Sequence, residues 1–185
     1  MTPYILASQS PRRRQLLEWA EIPFDIRVAN TDETFPEGLE PAQAAEHIAA
    51  GKALVIAQQA PNRTVIAADT IVVLGDDIIG KPADRGEAIA TLLRLQGREH
   101  VVITGVAIRR GERELLFHDR TEVEFHPLSE EQVTFYVDKY RPYDKAGAYA
   151  IQEWIGVVGI RAIRGDFYNV MGLPVSRVVQ ALSTF

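Results

Sequence analysis

The run TVIAADTIVVL from Thr64 to Leu74 is β-branched and almost wholly apolar, the signature of a central strand buried on both faces. Such a strand must be covered on each side, so the chain has to supply layers of helix around a sheet. The rest of the sequence does so by alternation. Tyr4 to Ala7 reads as a short buried strand, and Ser10-Pro11 opens a helix with a capping hydroxyl and a proline at the first helical position. Phe24 to Val28 reads as a strand. Pro41 to Gln59 reads as an Ala-rich helix, with Ala42, Ala45, Ile48, Ala49 and Ala53 at helical spacing around Glu46. Gly75-Asp76-Asp77 is expected to turn into Ile78-Ile79. Pro82 to Gln96 is expected to be helical, with Ala88, Ile89, Leu92, Leu93 and Leu95 on its apolar side. Val101 to Ile108 and Arg113 to Phe125 read as antiparallel strands joined at Arg110-Gly111-Glu112, and Ser129 with Gln132 marks a capping box that opens a helix to Tyr140. Ile155 to Ile163 and Phe167 to Val170 read as further strands, and Pro174 to Leu182 as a terminal helix. The expected fold class is α/β, a central mixed sheet flanked by helices. No repeat, low-complexity tract or linker divides the chain, so residues 1–185 are expected to form one domain, two lobes on a continuous sheet.

The chain carries 20 Lys+Arg against 25 Asp+Glu, and no Cys. Without Cys there is no disulfide framework, thiol nucleophile, iron–sulfur cluster or cysteine zinc site, which fits a cytoplasmic location. The net charge of −5 disfavours a bulk polyanion, so no stable nucleic-acid partner is expected, whereas a small anion is compatible with it. The basic residues Arg12 to Arg14 follow the first apolar run instead of preceding it, and no segment approaches the roughly 20 apolar residues that span a bilayer. No export signal and no membrane partner are expected. His47, His100, His118 and His126 lack zinc-site spacing, which leaves oxygen ligands for any metal. Gly75 to Pro82 imitates a phosphate-binding P-loop until Pro82, where a hydroxyl should reach Mg²⁺, so a hairpin followed by Lys81 is the better reading.

Sequences break local rules mainly where something else is gained. Arg12, Arg13 and Arg14 sit in the first turn of a helix, where the macrodipole disfavours cations. A bound phosphate would repair this, because helix-start N–H groups and guanidinium forks both take phosphate oxygens; the plainer reading is a solvated basic turn. Asp69 and Thr70 interrupt the apolar run, and a buried carboxylate is costly unless paired, metal-bound or protonated. Functional use of Asp69 is favoured over a structural ion pair with a core Lys or Arg. The stretch DKAGAYAIQ from Asp144 to Gln152 mixes a charge pair and a glycine into apolar surroundings, a pattern that loops often share.

Taken together, LASQSPRRRQLL at Leu6 to Leu17, Asp32-Glu33, Gly51-Lys52-Ala53, AADTIV at Ala67 to Val72, Gly80-Lys81-Pro82, Thr104-Gly105-Val106, DKAGAYAIQ and FYNVMGLP at Phe167 to Pro174 resemble the Maf family of nucleoside triphosphate pyrophosphatases, in that family's order over essentially the whole chain. The resemblance implies an elongated α/β fold with a central mixed sheet and a cleft between two lobes, similar to inosine triphosphate pyrophosphatases. It implies hydrolysis of a nucleoside triphosphate to the monophosphate and pyrophosphate. Asp69-Thr70 and Gln152 resemble the branch acting on dTTP and UTP rather than the one acting on 7-methyl-GTP, although modified pyrimidine nucleotides would share the Gln152 contacts. Arg14 departs from the family pattern and is assigned no role. On this reading Asp69 is the catalytic residue, activating water itself or at a bound cation. Glu33 helps Asp69 hold a divalent cation, Mg²⁺ or Mn²⁺. Ser8, Ser10, Arg12, Arg13, Lys52 and Lys81 bind the substrate phosphates, and Arg12, Thr70 and Gln152 select the base. A homodimer is compatible with the exposed sheet edges expected. Some relatives are associated with inhibition of septum formation, so a regulatory or binding role in cell division is the alternative. The joint presence of Asp69, Glu33, Lys52 and Lys81 favours the enzyme.

Overall fold

The structure is a computed structural model that describes residues 3–185. Its elements in chain order are β1 (Tyr4–Leu6), α1 (Pro11–Trp19), β2 (Phe24–Ile26), α2 (Pro41–Gln59), β3 (Val65–Leu74), β4 (Asp77–Ile79), α3 (Arg85–Leu95), β5 (Glu99–Arg110), β6 (Arg113–Phe125), α4 (Glu130–Tyr140), a 3₁₀ turn (Ala146–Ala148), α5 (Trp154–Gly159), β7 (Ile160–Arg164), α6 (Phe167–Met171) and α7 (Val175–Thr184). Among the described residues the strands form one mixed sheet in the order β2-β1-β3-β5-β6-β7, with β4 also paired to β3. β1 lies parallel to both β2 and β3, while β3–β4 and β6–β7 are antiparallel. The chain divides into two compact units, the first made of the described part of residues 1–70 with 104–119 and 172–185, the second of Ile71–Ile103 and Arg120–Met171.

In the first unit, period-2 alternation decides what each strand face meets. Ile5 and Ala7 around β1, and Val65 and Ala67 of β3, pack with Ala107 against Ala49, Ala53, Ile56 and Ala57 of α2. These α2 positions recur at helical spacing, so a single apolar stripe, alanine at all but Ile56, lies on the sheet. The contact is close at Gly105 of β5, where a Cβ would stand 2.4 Å from the backbone of Ala45 and Glu46. Only glycine admits the helix at that distance. α1 begins as its sequence dictates: Ser10 is extended and its Oγ accepts from the Arg13 N–H at 3.4 Å, with Pro11 in the first turn. Arg14 pairs with Glu18 one turn on, at 2.7 Å in the open, so the plain reading suffices for that arginine.

In the second unit β3 continues as Ile71 to Leu74, all buried, and turns through Gly75-Asp76 into β4, as expected. α3 begins at Arg85 and not at Pro82, because Asp84 is the cap: its carboxylate accepts from the Glu87 N–H at 2.9 Å. α4 carries the expected capping box, Ser129 Oγ accepting from the Gln132 N–H and Gln132 Oε1 from the Ser129 N–H. Two expectations fail. Residues 154–159 are helix α5, and only Ile160–Arg164 form a strand. Gly156 explains this, since a Cβ there would fall 1.7 Å from the Ile151 carbonyl oxygen, a closeness that lets the turn of helix form directly against the preceding loop. Phe167–Met171 is likewise helix α6. It turns Asn169 inward, where its amide donates to the Val102 carbonyl and Thr121 Oγ1.

Candidate active site

The face of β3 that meets α2 runs Val65, Ala67 and then Asp69, so the carboxylate continues an apolar row. α2 answers in kind. Its buried stripe of Ala49, Ala53 and Ile56 includes Lys52, whose ammonium lies 2.8 Å from Asp69 Oδ1 and 2.8 Å from Glu33 Oε1. The lysine and aspartate side chains are only 10% and 13% exposed, whereas Glu33 is 48% exposed and approaches from the loop before α2. The ion pair between Asp69 and a core Lys, weighed above as the structural reading, is therefore present. It is also asymmetric: one ammonium bridges two carboxylates, the buried Asp69 and the half-exposed Glu33 through which solvent reaches the group.

The opposite face of β3 carries Thr70, and its hydroxyl is the hub of a second network. Thr70 Oγ1 lies 2.9 Å from Thr104 Oγ1 of β5 and accepts from Arg13 Nη2 at 3.0 Å. Arg13 Nε donates to the Gly172 carbonyl at 2.7 Å, and Nη1 donates to Ser8 Oγ at 3.3 Å. Ser8 Oγ also accepts from the Ser10 N–H at 3.1 Å, which fixes the loop between β1 and α1. Burial pulls the Arg13 guanidinium below its usual value and Arg12 adds to this, with Asp69 and Glu33 opposing. Gly172 has φ +120°, so its carbonyl reaches Arg13 from a backbone conformation that a side chain would strain.

The structure thus gathers Ser8, Ser10, Arg13 and Thr70 in one network and Glu33, Lys52 and Asp69 in another, with Arg12 half-buried on α1 beside Arg13. Thr104 belongs to the first network and carries no role in the sequence reading, although it interrupts the apolar Val101 to Ile108 run just as Asp69-Thr70 interrupts β3. Lys81 and Gln152 lie in the second unit, both exposed. Gln152 sits at the corner of a turn closed by the Glu153 N–H on the Ala150 carbonyl at 3.1 Å.

The donor set fits a small hard cation. Mg²⁺ sites that serve nucleotides commonly use one or two carboxylates plus phosphate oxygens, and Glu33 and Asp69 already converge on one positive charge. Among the described residues no group of three or more acidic or histidine side chains gathers, so further ligands would come from substrate or water.

An α/β architecture with a mixed sheet is shared with the Staphylococcus aureus Ham1 protein, whose structure matches at TM-score 0.53 and 17% identity over 99% of this chain and 98% of that one. The chain is thus an α/β protein with a mixed sheet and, on it, two carboxylates that share a buried lysine. The chain belongs to the Maf family: the Maf-like protein model matches residues 3–185. It is 49% identical to the dTTP/UTP pyrophosphatase of Cytophaga hutchinsonii over 98% of this chain and 83% of that protein. Proteins of the same description from Symbiobacterium thermophilum and Parabacteroides distasonis are 48% and 46% identical, each covered to 95% of its length.

Proposed function

We propose that the chain hydrolyses dTTP and UTP to the monophosphate and pyrophosphate. The observation that carries this reading is the buried Lys52 ammonium shared by Asp69 and Glu33, in a chain 46–49% identical to proteins described as dTTP/UTP pyrophosphatases. Water attacks the α-phosphorus, its O–P bond forming as the bond to the β-phosphate oxygen breaks and pyrophosphate leaves. Lys52 holds Asp69 through Oδ1, so Oδ2 is the atom assigned to take the proton from the attacking water. An ammonium has three N–H donors, and the two spent on carboxylates leave one for a phosphate oxygen. Arg12 and Lys81 supply further positive charge to the triphosphate. Arg13 spends Nε, one Nη1–H and one Nη2–H on protein acceptors and keeps the remaining pair for phosphate. Ser8 and Ser10 shape the loop that receives it. Glu33 and Asp69 would hold a divalent cation, Mg²⁺ or Mn²⁺, which when bound would neutralise triphosphate charge.

Base choice follows from hydrogen-bond polarity. Uracil and thymine present O4 beside N3–H, and the Gln152 amide can donate to the first and accept from the second. Cytosine reverses both, which leaves a mismatch wherever the neighbours of Gln152 keep its amide from flipping. Arg12 and Thr70 complete the selective set. Incubation with dTTP, UTP, CTP, dATP, GTP and 7-methyl-GTP, with Mg²⁺ or Mn²⁺, tests the reading by product analysis. Monophosphate and pyrophosphate from dTTP and UTP are expected; nucleoside diphosphate and inorganic phosphate, or no preference among bases, would refute it.

A further inference from the structure

Gln152 is exposed and makes its turn without help from its own side chain, so something else must hold the backbone that presents it. The turn runs from Ala150 to Glu153, and both ends close on the same atom, the phenolic oxygen of Tyr136 on α4. The buried Ala150 N–H donates to Tyr136 Oη at 3.1 Å, and the Tyr136 hydroxyl donates to Glu153 Oε2. Tyr136 is itself fully buried and stacks on Tyr140, with ring centroids 5.0 Å apart. Glu153 is held further by Lys145, 3.9 Å from Oε1, and Lys145 in turn by Asp144 at 2.8 Å. From below, Gly156 of α5 abuts the Ile151 carbonyl. Glu153 precedes α5 yet makes no side-chain cap bond to it, so its carboxylate serves the turn and not the helix.

We propose that Tyr136 is a positioning residue for nucleobase selection, its hydroxyl pinning both ends of the turn that presents Gln152. The inference rests on the reading of Gln152 as the base-selecting residue. A buried phenol that donates at one end of a turn and accepts at the other leaves the turn little freedom. A misplaced amide costs discrimination more than phosphate binding, because mismatch matters only when the partners are held in register.

The test compares kcat/KM for UTP and CTP in wild type, Tyr136→Phe, Gln152→Ala and the double variant, each with its thermal midpoint. Tyr136→Phe keeps the ring and its stacking and removes the bonds alone. The expected result is a fall of roughly tenfold in the UTP/CTP ratio for Tyr136→Phe. The double variant should fall no further than Gln152→Ala, because the two residues act as one unit. Glu153→Gln, whose amide oxygen still accepts from the phenol, should retain the ratio, and Glu153→Ala should copy Tyr136→Phe. This pair keeps the test decisive if Tyr136→Phe folds poorly. An unchanged ratio in Tyr136→Phe and Glu153→Ala, with Gln152→Ala relaxed, would overturn the positioning role and leave the Gln152 reading standing. An unchanged ratio in Gln152→Ala would overturn both. An equal loss for UTP and CTP accompanied by a lowered thermal midpoint would mean that Tyr136 serves stability alone, which also overturns the proposal.

Discussion

A guanidinium that reaches three segments from three separate nitrogens is not matched by an ammonium, whose three donors share one nitrogen. Arg13 joins the Gly172 carbonyl, Ser8 Oγ and Thr70 Oγ1 from a planar fork. Arg13→Lys should therefore lose at least two of these bonds and lower stability by about 1–3 kcal/mol, read from urea unfolding. An unchanged midpoint would mean that the network adds nothing to stability. The sequence marked this residue through its misplaced charge, yet could not tell that most of its donors are spent on protein. That depends on Gly172 and Thr70, distant in the chain and brought close only by folding. Asp69 was legible for a simpler reason, a carboxylate inside an apolar run, whereas its second neighbour on the ammonium, Glu33, came from family resemblance alone. Tyr136 left no signal, because an aromatic on the inner face of a helix looks like any core residue.

At the scale of elements, α2 provides a paired experiment. Gly105→Ala on β5 places a methyl group 2.4 Å from the α2 backbone, so the helix must lift and take Lys52 with it. Overpacking of this kind costs about 1–3 kcal/mol or more, and turnover should fall along with stability. Gly51→Ala, inside α2 itself, meets no heavy atom within 4 Å. It should raise stability by about 0.5–1 kcal/mol, the ordinary penalty of glycine in a helix interior. Thermal unfolding of both variants checks the pair, and a stable Gly105→Ala would contradict the observed helix-to-strand approach. Elements with caps or clear periodicity were legible: α2 has the expected bounds, and α1 and α4 start at the expected capping residues. α5 and α6 were not. Their short Val-, Ile- and aromatic-rich segments suit a strand locally, and the choice was made by tertiary contacts at Gly156 and Asn169.

For the molecule as a whole, acid stability should be sensitive to one buried base. His100 is 1% exposed, with Nε2 2.6 Å from Tyr149 Oη and its ring stacked on Phe125. Burial lowers its pKa to about 4, and burial also raises that of Tyr149, so both rings are neutral in the folded state. The unfolded chain has an ordinary histidine near 6.5. Between those values the unfolded state binds a proton that the folded state refuses, so the contribution is complete above about pH 6.5 and is lost as pH falls toward 4. The loss amounts to about 3 kcal/mol. Urea unfolding between pH 7.5 and 4.5 should show this extra slope relative to His100→Gln, whose amide can still pair with Tyr149; identical slopes would contradict it.

Asp69 is proposed to take the proton from the attacking water, and Asp69→Asn removes that ability while keeping the size of the side chain. Because Glu33 still pairs with Lys52 in that variant, the fold should persist and the thermal midpoint should stay within a few degrees of wild type. Pyrophosphate release from UTP should fall by about 10²–10⁴-fold. A folded Asp69→Asn protein that releases pyrophosphate at close to the wild-type rate would contradict a proton-accepting role for Asp69.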